Sequence, residues 1–246
     1  MPVLVNRMHA GLLIFLFSLL YGVCFSQTAL SKRNPYNLKL IVSVDAYRQQ
    51  VAKEPQMLMV DLEKAIGGIV TDIRYATKNN FTGEIIYSAP RAFVRKPVAE
   101  ALRKVQDSLA YYHLGLKIYD AYRPYAATLK FYEVYPDTNF VADPRYGSNH
   151  NRGCAVDVTL VELSTGRELP MPTQFDDFTK KAGMAYTNLP DAVLKNRKLL
   201  SGVMSSFGFN PYTLEWWHFD FRERKKYSLM DLSFEELEKV YLQYGQ

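Results

Sequence analysis

The sequence predicts an α+β fold in a single domain, built from a small, mainly antiparallel sheet that is flanked by helices. Its predicted strands and helices are mixed without the regular strand–helix–strand order of parallel folds, which favours this class. The chain has 246 residues, 48% of them hydrophobic, and that length is sufficient for one substantial core. No internal repeat or low-complexity tract indicates a second domain.

The N-terminal region is predicted to be a secretory signal peptide over residues 1–26. Arg7 precedes a short apolar run, and small residues follow it, as in signal peptides. The run is short for a transmembrane helix, which needs about 20 apolar residues. Lipidation at Cys24 is the alternative, although Tyr21-Gly22-Val23 matches the usual context of such a site poorly. We therefore expect export, to the periplasm in a cell with two membranes, and no membrane span after cleavage.

The rest of the chain divides into an N-terminal arm over residues 27–56 and the main domain over residues 57–246. Alternating or β-prone patterns predict extended segments and strands at 57–62, 69–75, 116–122, 153–161 and 214–221. Apolar residues spaced by three and four predict a helix at 97–112. Helices are also predicted at 126–134, 175–182 and 191–207. Ser233, with Glu236 three residues later, predicts a capped C-terminal helix. Residues 79–83 and 137–152 have the composition of turns and loops.

The charge argues against a nucleic-acid partner, and the cysteine content argues against an intramolecular disulfide. The net charge of +5 is spread over the chain without a run of five or six basic residues, so no nucleic-acid partner is expected. If Cys24 leaves with the signal peptide, Cys154 is the only cysteine, and no intramolecular disulfide can form. Cys154 lies in an apolar run, so we expect it to pack as a small hydrophobic residue.

The segment from Ser148 to Asp157 places a histidine where a loop enters a strand. On that strand, alternation directs Asp157 to the face opposite Cys154, Val156 and Val158, which can face the core. Gly153 allows a tight backbone turn that could bring His150 over Asp157.

A second segment, Glu215-Trp-Trp-His-Phe-Asp220, has a carboxylate three residues before a histidine. In a regular strand Glu215 and His218 point to opposite faces, so Glu215 must lie at the strand's entry or on a bulge to share a site. Two histidines, one aspartate and an open position form a catalytic zinc set. The same residues could instead be satisfied polar groups in a partly buried sheet.

The pattern Ser148-x-His150-x-x-Gly153-x-Ala155-x-Asp157, followed by Glu215-x-x-His218, resembles the signature of zinc D,D-peptidases in the Hedgehog/DD-peptidase fold group. Three more segments resemble the D-alanyl-D-alanine dipeptidases of the vancomycin-resistance type, namely residues 72–83, 119–124 and 171–178. The likeness extends from about residue 57 to residue 224.

The resemblance implies a reaction and a set of residue roles. One Zn2+ ion would be held by three ligands: His150, Asp157 and His218. Glu215 would be the catalytic base for a zinc-activated water, and Arg123 would stabilise the oxyanion, which is a large catalytic effect. The substrate would be a small D,D-dipeptide. In the alternative, Arg123 bridges a loop carboxylate.

Ser148 and Asp176 match positions that hold the ends of the substrate in the family. Asp176 could instead cap a helix, and Asp177 could be the binding acid. His113 is expected to be structural, while Tyr122 and Trp217 could line the pocket or fill the core. The competing functions are a zinc D,D- or L,D-carboxypeptidase that acts on peptidoglycan stem peptides, and a non-catalytic module that binds such peptides.

Overall fold

Five of the nine strands form the central sheet in the computed structural model, which describes residues 34–245. The strands are β1 (Leu40–Ile41), β2 (Met59–Asp61), β3 (Val70–Thr71), β4 (Phe93–Arg95), β5 (Leu114–Asp120), β6 (Ala155–Glu162), β7 (Phe209–Pro211), β8 (His218–Phe221) and β9 (Leu229–Met230). The order in the central sheet is β3-β5-β6-β8-β7, and only the β3–β5 pair is parallel. Two separate pairs, β1–β9 and β2–β4, complete the strands.

Six α-helices accompany these strands within the described residues. They are α1 (Val44–Lys53), α2 (Leu62–Ala65), α3 (Lys96–Ala110), α4 (Tyr125–Val134), α5 (Asp191–Ser206) and α6 (Phe234–Tyr244). Helix α3 packs on β5 and α5, and the apolar residues that predicted it are fully buried: Val98, Leu102, Val105 and Leu109. Helices and strands are interspersed along the described residues, and the central sheet is mainly antiparallel. This confirms the predicted α+β class.

The chain from Lys39 to Gln246 forms one compact unit, so the predicted arm from residue 39 onward folds with the main domain. Strand β1 pairs with β9, and α1 buries Tyr47 and Val51. The unit before it ends at Leu38; in its described part, Asn34 makes two hydrogen bonds to the backbone of Leu38.

The predicted signal peptide and Cys24 lie outside the described residues. Among those that are described, no helix is long and apolar enough to cross a membrane.

Three predicted elements differ from the structure by more than two residues at one or both ends. The strand predicted at 69–75 is reduced to Val70–Thr71, because Arg74–Ala76 forms a 3-10 turn. The helix predicted at 175–182 is wrong, since only the 3-10 turn Lys180–Ala182 forms there. Asp176 has a φ of +62°, a left-handed conformation that interrupts a right-handed helix. The strand predicted at 214–221 is shorter and begins at His218, because the preceding residues form a turn. By contrast, the capping box of Ser233 and Glu236 is present at the start of α6.

Arg95 is fully buried and connects four segments around the loop that leads into β6. Its side chain donates hydrogen bonds to the carbonyl oxygens of Met57, Arg152 and Ser228. Its backbone N–H donates to the carbonyl oxygen of Gly153 at 2.9 Å. Hydrogen bonds from a charged donor are stronger than neutral ones, so Arg95 anchors the backbone that delivers His150 to the sheet.

Candidate metal centre

The pairing of β6 with its two neighbours places three functional side chains in one row. Asp157 is directly opposite His218 on β8 and opposite Asp120 on β5, where a register shift follows Ile118. Side chains of directly paired residues project from the same face of a sheet. Asp120, Asp157 and His218 therefore share the face that the alternation along β6 predicted for Asp157.

His150 reaches this row from the 3-10 turn His150–Arg152, which ends at Gly153. Gly153 has a φ of +67°, as required for the tight turn that the sequence predicted. A Cβ atom at this position would lie 2.5 Å from the Cε atom of Met59. Ser148 Oγ accepts a hydrogen bond from the His150 backbone N–H at 3.1 Å and so fixes the start of the turn.

His150, Asp157 and His218 converge as the resemblance implied. Nδ1 of His218 lies 3.0 Å from Oδ1 of Asp157, and Nε2 of His150 lies 3.5 Å from the same oxygen. The two imidazole nitrogens are 3.2 Å apart, and the potential ligand atoms all lie within 4.8 Å of one another. Two imidazole nitrogens and one carboxylate oxygen form a donor set that suits zinc.

The outer nitrogen of each histidine has an acceptor of its own. His150 Nδ1 lies 2.7 Å from the carbonyl oxygen of Ala121, and His218 Nε2 lies 3.2 Å from Oδ1 of Asp220. A carbonyl or carboxylate oxygen can only accept, so the outer nitrogens carry the protons. The inner nitrogens can then present lone pairs to a metal, and the site fits the ion that the resemblance implies.

Opposite charges shift the pKa values of Asp157 and His218. Burial alone would raise the pKa of Asp157, but His150 and His218 hold it well below its usual range. Burial acts to lower the pKa of His218, yet its hydrogen bonds to Asp157 and Asp220 raise it well above its usual value. A metal ion that binds His218 must therefore displace a proton, so metal binding is coupled to proton release.

Arg123 lies beside the triad and is held by Asp120. The Nε and Nη2 atoms of Arg123 donate to Oδ2 of Asp120 at 3.1 and 2.7 Å. Asp120 is fully buried at the end of β5, so Arg123 does bridge a carboxylate, as in the alternative interpretation, but this carboxylate belongs to a strand and not to a loop. Oδ2 of Asp120 is also 3.6 Å from Nδ1 of His150. Asp120 thus contacts both Arg123 and the candidate ligand His150.

Glu215 lies in the turn that precedes β8. This is the entry of the strand, where the sequence analysis placed Glu215 if it was not on a bulge. Its Oε2 atom is 3.9 Å from Nδ1 of His218, and only 6% of the residue is exposed. Burial, with smaller effects of Asp157 and Asp176, raises the pKa of Glu215 to about 8. Glu215 is thus poised to exchange protons near neutral pH.

These groups line one cavity of about 220 Å³. Its wall includes four carboxylate residues, two histidines, Arg123 and Ser148; the carboxylates are Asp157, Asp176, Glu215 and Asp220. Aromatic side chains form much of the rest, among them Tyr75, Phe140 and Trp217. Tyr122 instead lies in the core, where its hydroxyl bonds to the backbone of Leu232.

Asp176 supplies a cavity carboxylate with an unused acceptor. Its Oδ1 atom accepts a hydrogen bond from Tyr75 at 3.0 Å, while the buried Oδ2 atom has no partner among the described residues. Burial raises the pKa of Asp176 to about 7. No helix begins here, so the capping alternative is wrong. Asp177 does not line the cavity and accepts from the Thr179 backbone instead.

Sequence reasoning missed four residues that support the site: Asp120, Tyr75, Asn149 and Asp220. Asp120 lies three residues before Arg123 in the chain, and that spacing was a usable signal. Tyr75 is 101 positions from Asp176, so only tertiary structure could reveal their hydrogen bond. Cys154 is buried in the core, as predicted. His113 lies in the exposed turn after α3, outside the cavity wall.

The family model and the similar proteins found by comparison agree on one family. A family model described as D-ala-D-ala dipeptidase matches residues 55–237. The D-alanyl-D-alanine dipeptidase of Escherichia coli is 35% identical over 172 residues, which cover 70% of this chain and 89% of that protein. The D-alanyl-D-alanine dipeptidase of Enterococcus faecium is 31% identical over 182 residues, which cover 66% of this chain and 90% of that protein.

One solved structure is also similar over part of its length. It is a vancomycin resistance D,D-pentapeptidase in complex with Zn(II), with a TM-score of 0.35 and 13% identity, covering 65% of this chain and 83% of that chain.

Replacing Gly153 by alanine tests how strongly the turn controls the site. A left-handed φ costs an alanine about 1–2 kcal/mol, and at Gly153 the added methyl group also meets Met59. We expect Gly153→Ala to lower the free energy of unfolding by about 2–4 kcal/mol. Urea denaturation monitored by circular dichroism gives this value.

Gly166→Ala is the matched control. Gly166 has a φ of +68°, and a methyl group added there would have no other atom within 4 Å. This variant should therefore lose only about 1–2 kcal/mol, the cost of the backbone conformation. Equal losses for the two variants would contradict a packing role for Gly153 against Met59.

Proposed function

Because the chain belongs to the M15 family of peptidases, described as D-ala-D-ala dipeptidases, we propose that it hydrolyses the free dipeptide D-Ala-D-Ala to two D-Ala molecules. One observation carries this proposal: a three-residue metal-donor set lines the same small cavity as Glu215, Arg123 and Asp176. These are the groups needed to activate water, stabilise an oxyanion and bind an ammonium.

The proposed cofactor is one Zn2+ ion per chain, held by His150, Asp157 and His218. When bound, zinc would supply Lewis-acid activation of a water molecule and polarisation of the scissile carbonyl. The convergence of the three donors within 4.8 Å supports this role, as do the acceptors on the outer nitrogens of both histidines.

Glu215 is proposed as the general base. It would take a proton from the attacking water and pass it to the amine of the departing D-Ala. Burial keeps the pKa of Glu215 at about 8 in the protein alone. A cation bound beside it favours the carboxylate form, because opposite charges within about 4–6 Å stabilise each other. Glu215 is therefore suited to accept a proton at neutral pH.

Arg123 is proposed to stabilise the oxyanion of the tetrahedral intermediate. Two of its nitrogens are bound to Asp120, and its guanidinium lies 4.6 Å from the ring centre of Phe131. These contacts hold the positive charge in place before the substrate binds. Preorganised charge of this kind stabilises a transition state without the cost of reorganisation.

Asp176 and Ser148 are proposed to bind the two ends of the dipeptide. The unpaired Oδ2 of Asp176 can accept from the substrate ammonium, which would also lower the pKa of this carboxyl group from about 7. The Ser148 hydroxyl already accepts from His150 N–H, and its proton remains available for the substrate carboxylate. A site that binds a free amine selects the dipeptide over longer stem peptides.

Glu215→Gln tests the reaction and the base together. We expect the variant to bind zinc as the wild type does and to lose about 10²- to 10⁴-fold in kcat, the usual contribution of a general base. The measurement is amine release from D-Ala-D-Ala, L-Ala-L-Ala and a pentapeptide ending in D-Ala-D-Ala. The control is Glu162→Gln, at the exposed end of β6, which should retain activity.

Hydrolysis of the D,D-dipeptide alone agrees with the proposal. Cleavage of the pentapeptide instead would assign the chain as a carboxypeptidase, and zinc binding without turnover would support the binding module. Full activity of Glu215→Gln would exclude Glu215 as the base.

Asp176→Asn tests recognition of the ammonium. The variant keeps the shape of the side chain but loses its charge, so kcat/KM for D-Ala-D-Ala should fall about 100-fold, equivalent to about 2.7 kcal/mol. Asp177→Asn is the neighbouring control and should change this value less than threefold. If both variants behave alike, Asp176 does not bind the substrate amine.

We also propose that the mature protein is exported after cleavage near residue 26 and acts on D-Ala-D-Ala released from cell-wall material. The leader pattern around Arg7 supports this location. Cell fractionation followed by N-terminal sequencing should find the cleaved chain outside the cytoplasm. An uncleaved, cytoplasmic chain would contradict both export and this physiological role.

A further inference from the structure

Asp220 lies two residues after His218 on β8, so both side chains project from the same face of the sheet. Asp220 is paired directly with Ala155 on β6. Ala155 lies next to Asp157 on that face, and its small side chain leaves room for the carboxylate. Only 17% of the Asp220 side chain is exposed.

The Oδ1 atom of Asp220 joins two residues from different parts of the chain. It is 3.2 Å from Nε2 of His218 and accepts a hydrogen bond from Nδ2 of Asn149 at 2.9 Å. Its other oxygen, Oδ2, is 3.6 Å from Nε of Arg224. Asn149 immediately precedes His150, so Asp220 connects the segments that deliver the two histidines.

The contact determines which nitrogen of His218 faces Asp157. A carboxylate oxygen accepts but does not donate, so Nε2 of His218 must carry a proton toward Asp220. Nδ1 is then the nitrogen directed at Asp157, 3.0 Å from its Oδ1. For His150, a backbone carbonyl has the same role. For His218 the acceptor is the side chain of Asp220, which can be changed by mutation.

We propose that Asp220, held in place by Asn149, is a positioning residue that fixes the ring and tautomer of His218 and thereby sets the affinity of the site for zinc. A carboxylate hydrogen-bonded to the outer nitrogen also makes the imidazole a more basic ligand. In this role Asp220 acts through the ring of His218 and not by binding the substrate. This inference rests on the zinc site of the proposed function.

The test is a zinc titration of chelator-treated protein in competition with a chromophoric chelator. Removing a partner of a metal-bound histidine typically weakens binding about 10- to 100-fold, and we expect this loss for Asp220→Ala. Asp220→Asn, which has nearly the same shape, keeps an acceptor but loses the charge, so its loss should be smaller. Asn149→Ala removes the donor that holds Asp220 and should weaken zinc binding about two- to tenfold.

The double variant tests whether Asn149 acts through Asp220. If it does, adding Asn149→Ala to Asp220→Ala should weaken zinc binding less than twofold beyond Asp220→Ala alone, because coupled residues do not act additively. Glu162→Gln, a carboxylate at the other end of β6, is the control and should bind zinc as the wild type does.

Steady-state kinetics at saturating zinc separate positioning from substrate binding. Asp220→Ala should lower kcat while changing KM for D-Ala-D-Ala less than twofold. A raised KM with unchanged zinc affinity would overturn the proposal and make Asp220 a substrate contact. Unchanged zinc affinity in both folded Asp220 variants would overturn it as well. If the wild type itself binds no zinc, the proposed function fails, and that result is distinct from a failure of Asp220 alone.

Discussion

The pairing of β6 with β5 on one side and β8 on the other is the constraint on which the candidate site depends. It places Asp157 opposite both Asp120 and His218, and the irregularity after Ile118 brings Asp120 into that register. Because side chains alternate along a strand, a shift of one residue would turn Asp157 away from this face. The apolar residues of β6, Val156 and Val158, are fully buried on the other face and so stabilise the observed register.

The site concentrates carboxyl groups in a small volume. Four carboxylate residues line the cavity, and burial raises the pKa of two of them, Glu215 and Asp176, to about 8 and about 7. Arg123 is already engaged by Asp120. In the proposed function, a divalent cation at the triad and a substrate ammonium at Asp176 would each favour the ionised form of a neighbouring carboxyl group. The same cluster of carboxyl groups would therefore support both binding events.

The scaffold supports the site through backbone contacts as much as through the hydrophobic core. Arg95 binds the carbonyl oxygen of Arg152 with its side chain and that of Gly153 with its backbone N–H. Both carbonyls belong to the turn that carries His150 into β6. The left-handed Gly153 and the Ser148 hydroxyl complete this turn. The position of His150 is therefore set by groups that lie behind the cavity as well as within it.

The sequence alone determined the features that depend on local patterns. The spacing of Val98, Leu102, Val105 and Leu109 predicted α3, and the alternation from Cys154 to Val158 predicted the face of Asp157. Motif resemblance then supplied the candidate roles of the site residues. The spacing and the alternation each lie within a few consecutive turns or strand residues, where chain geometry fixes side-chain direction.

Only the tertiary structure decided which distant residues meet. Glu215 reaches His218 because the strand begins at His218, four residues later than predicted. Asp176, expected near a helix, instead takes a left-handed conformation and meets Tyr75 across 101 positions. Asp220 and Asn149 meet across 71 positions. Such contacts depend on strand register and loop path, which are fixed by packing of the whole core and leave no local pattern in the sequence.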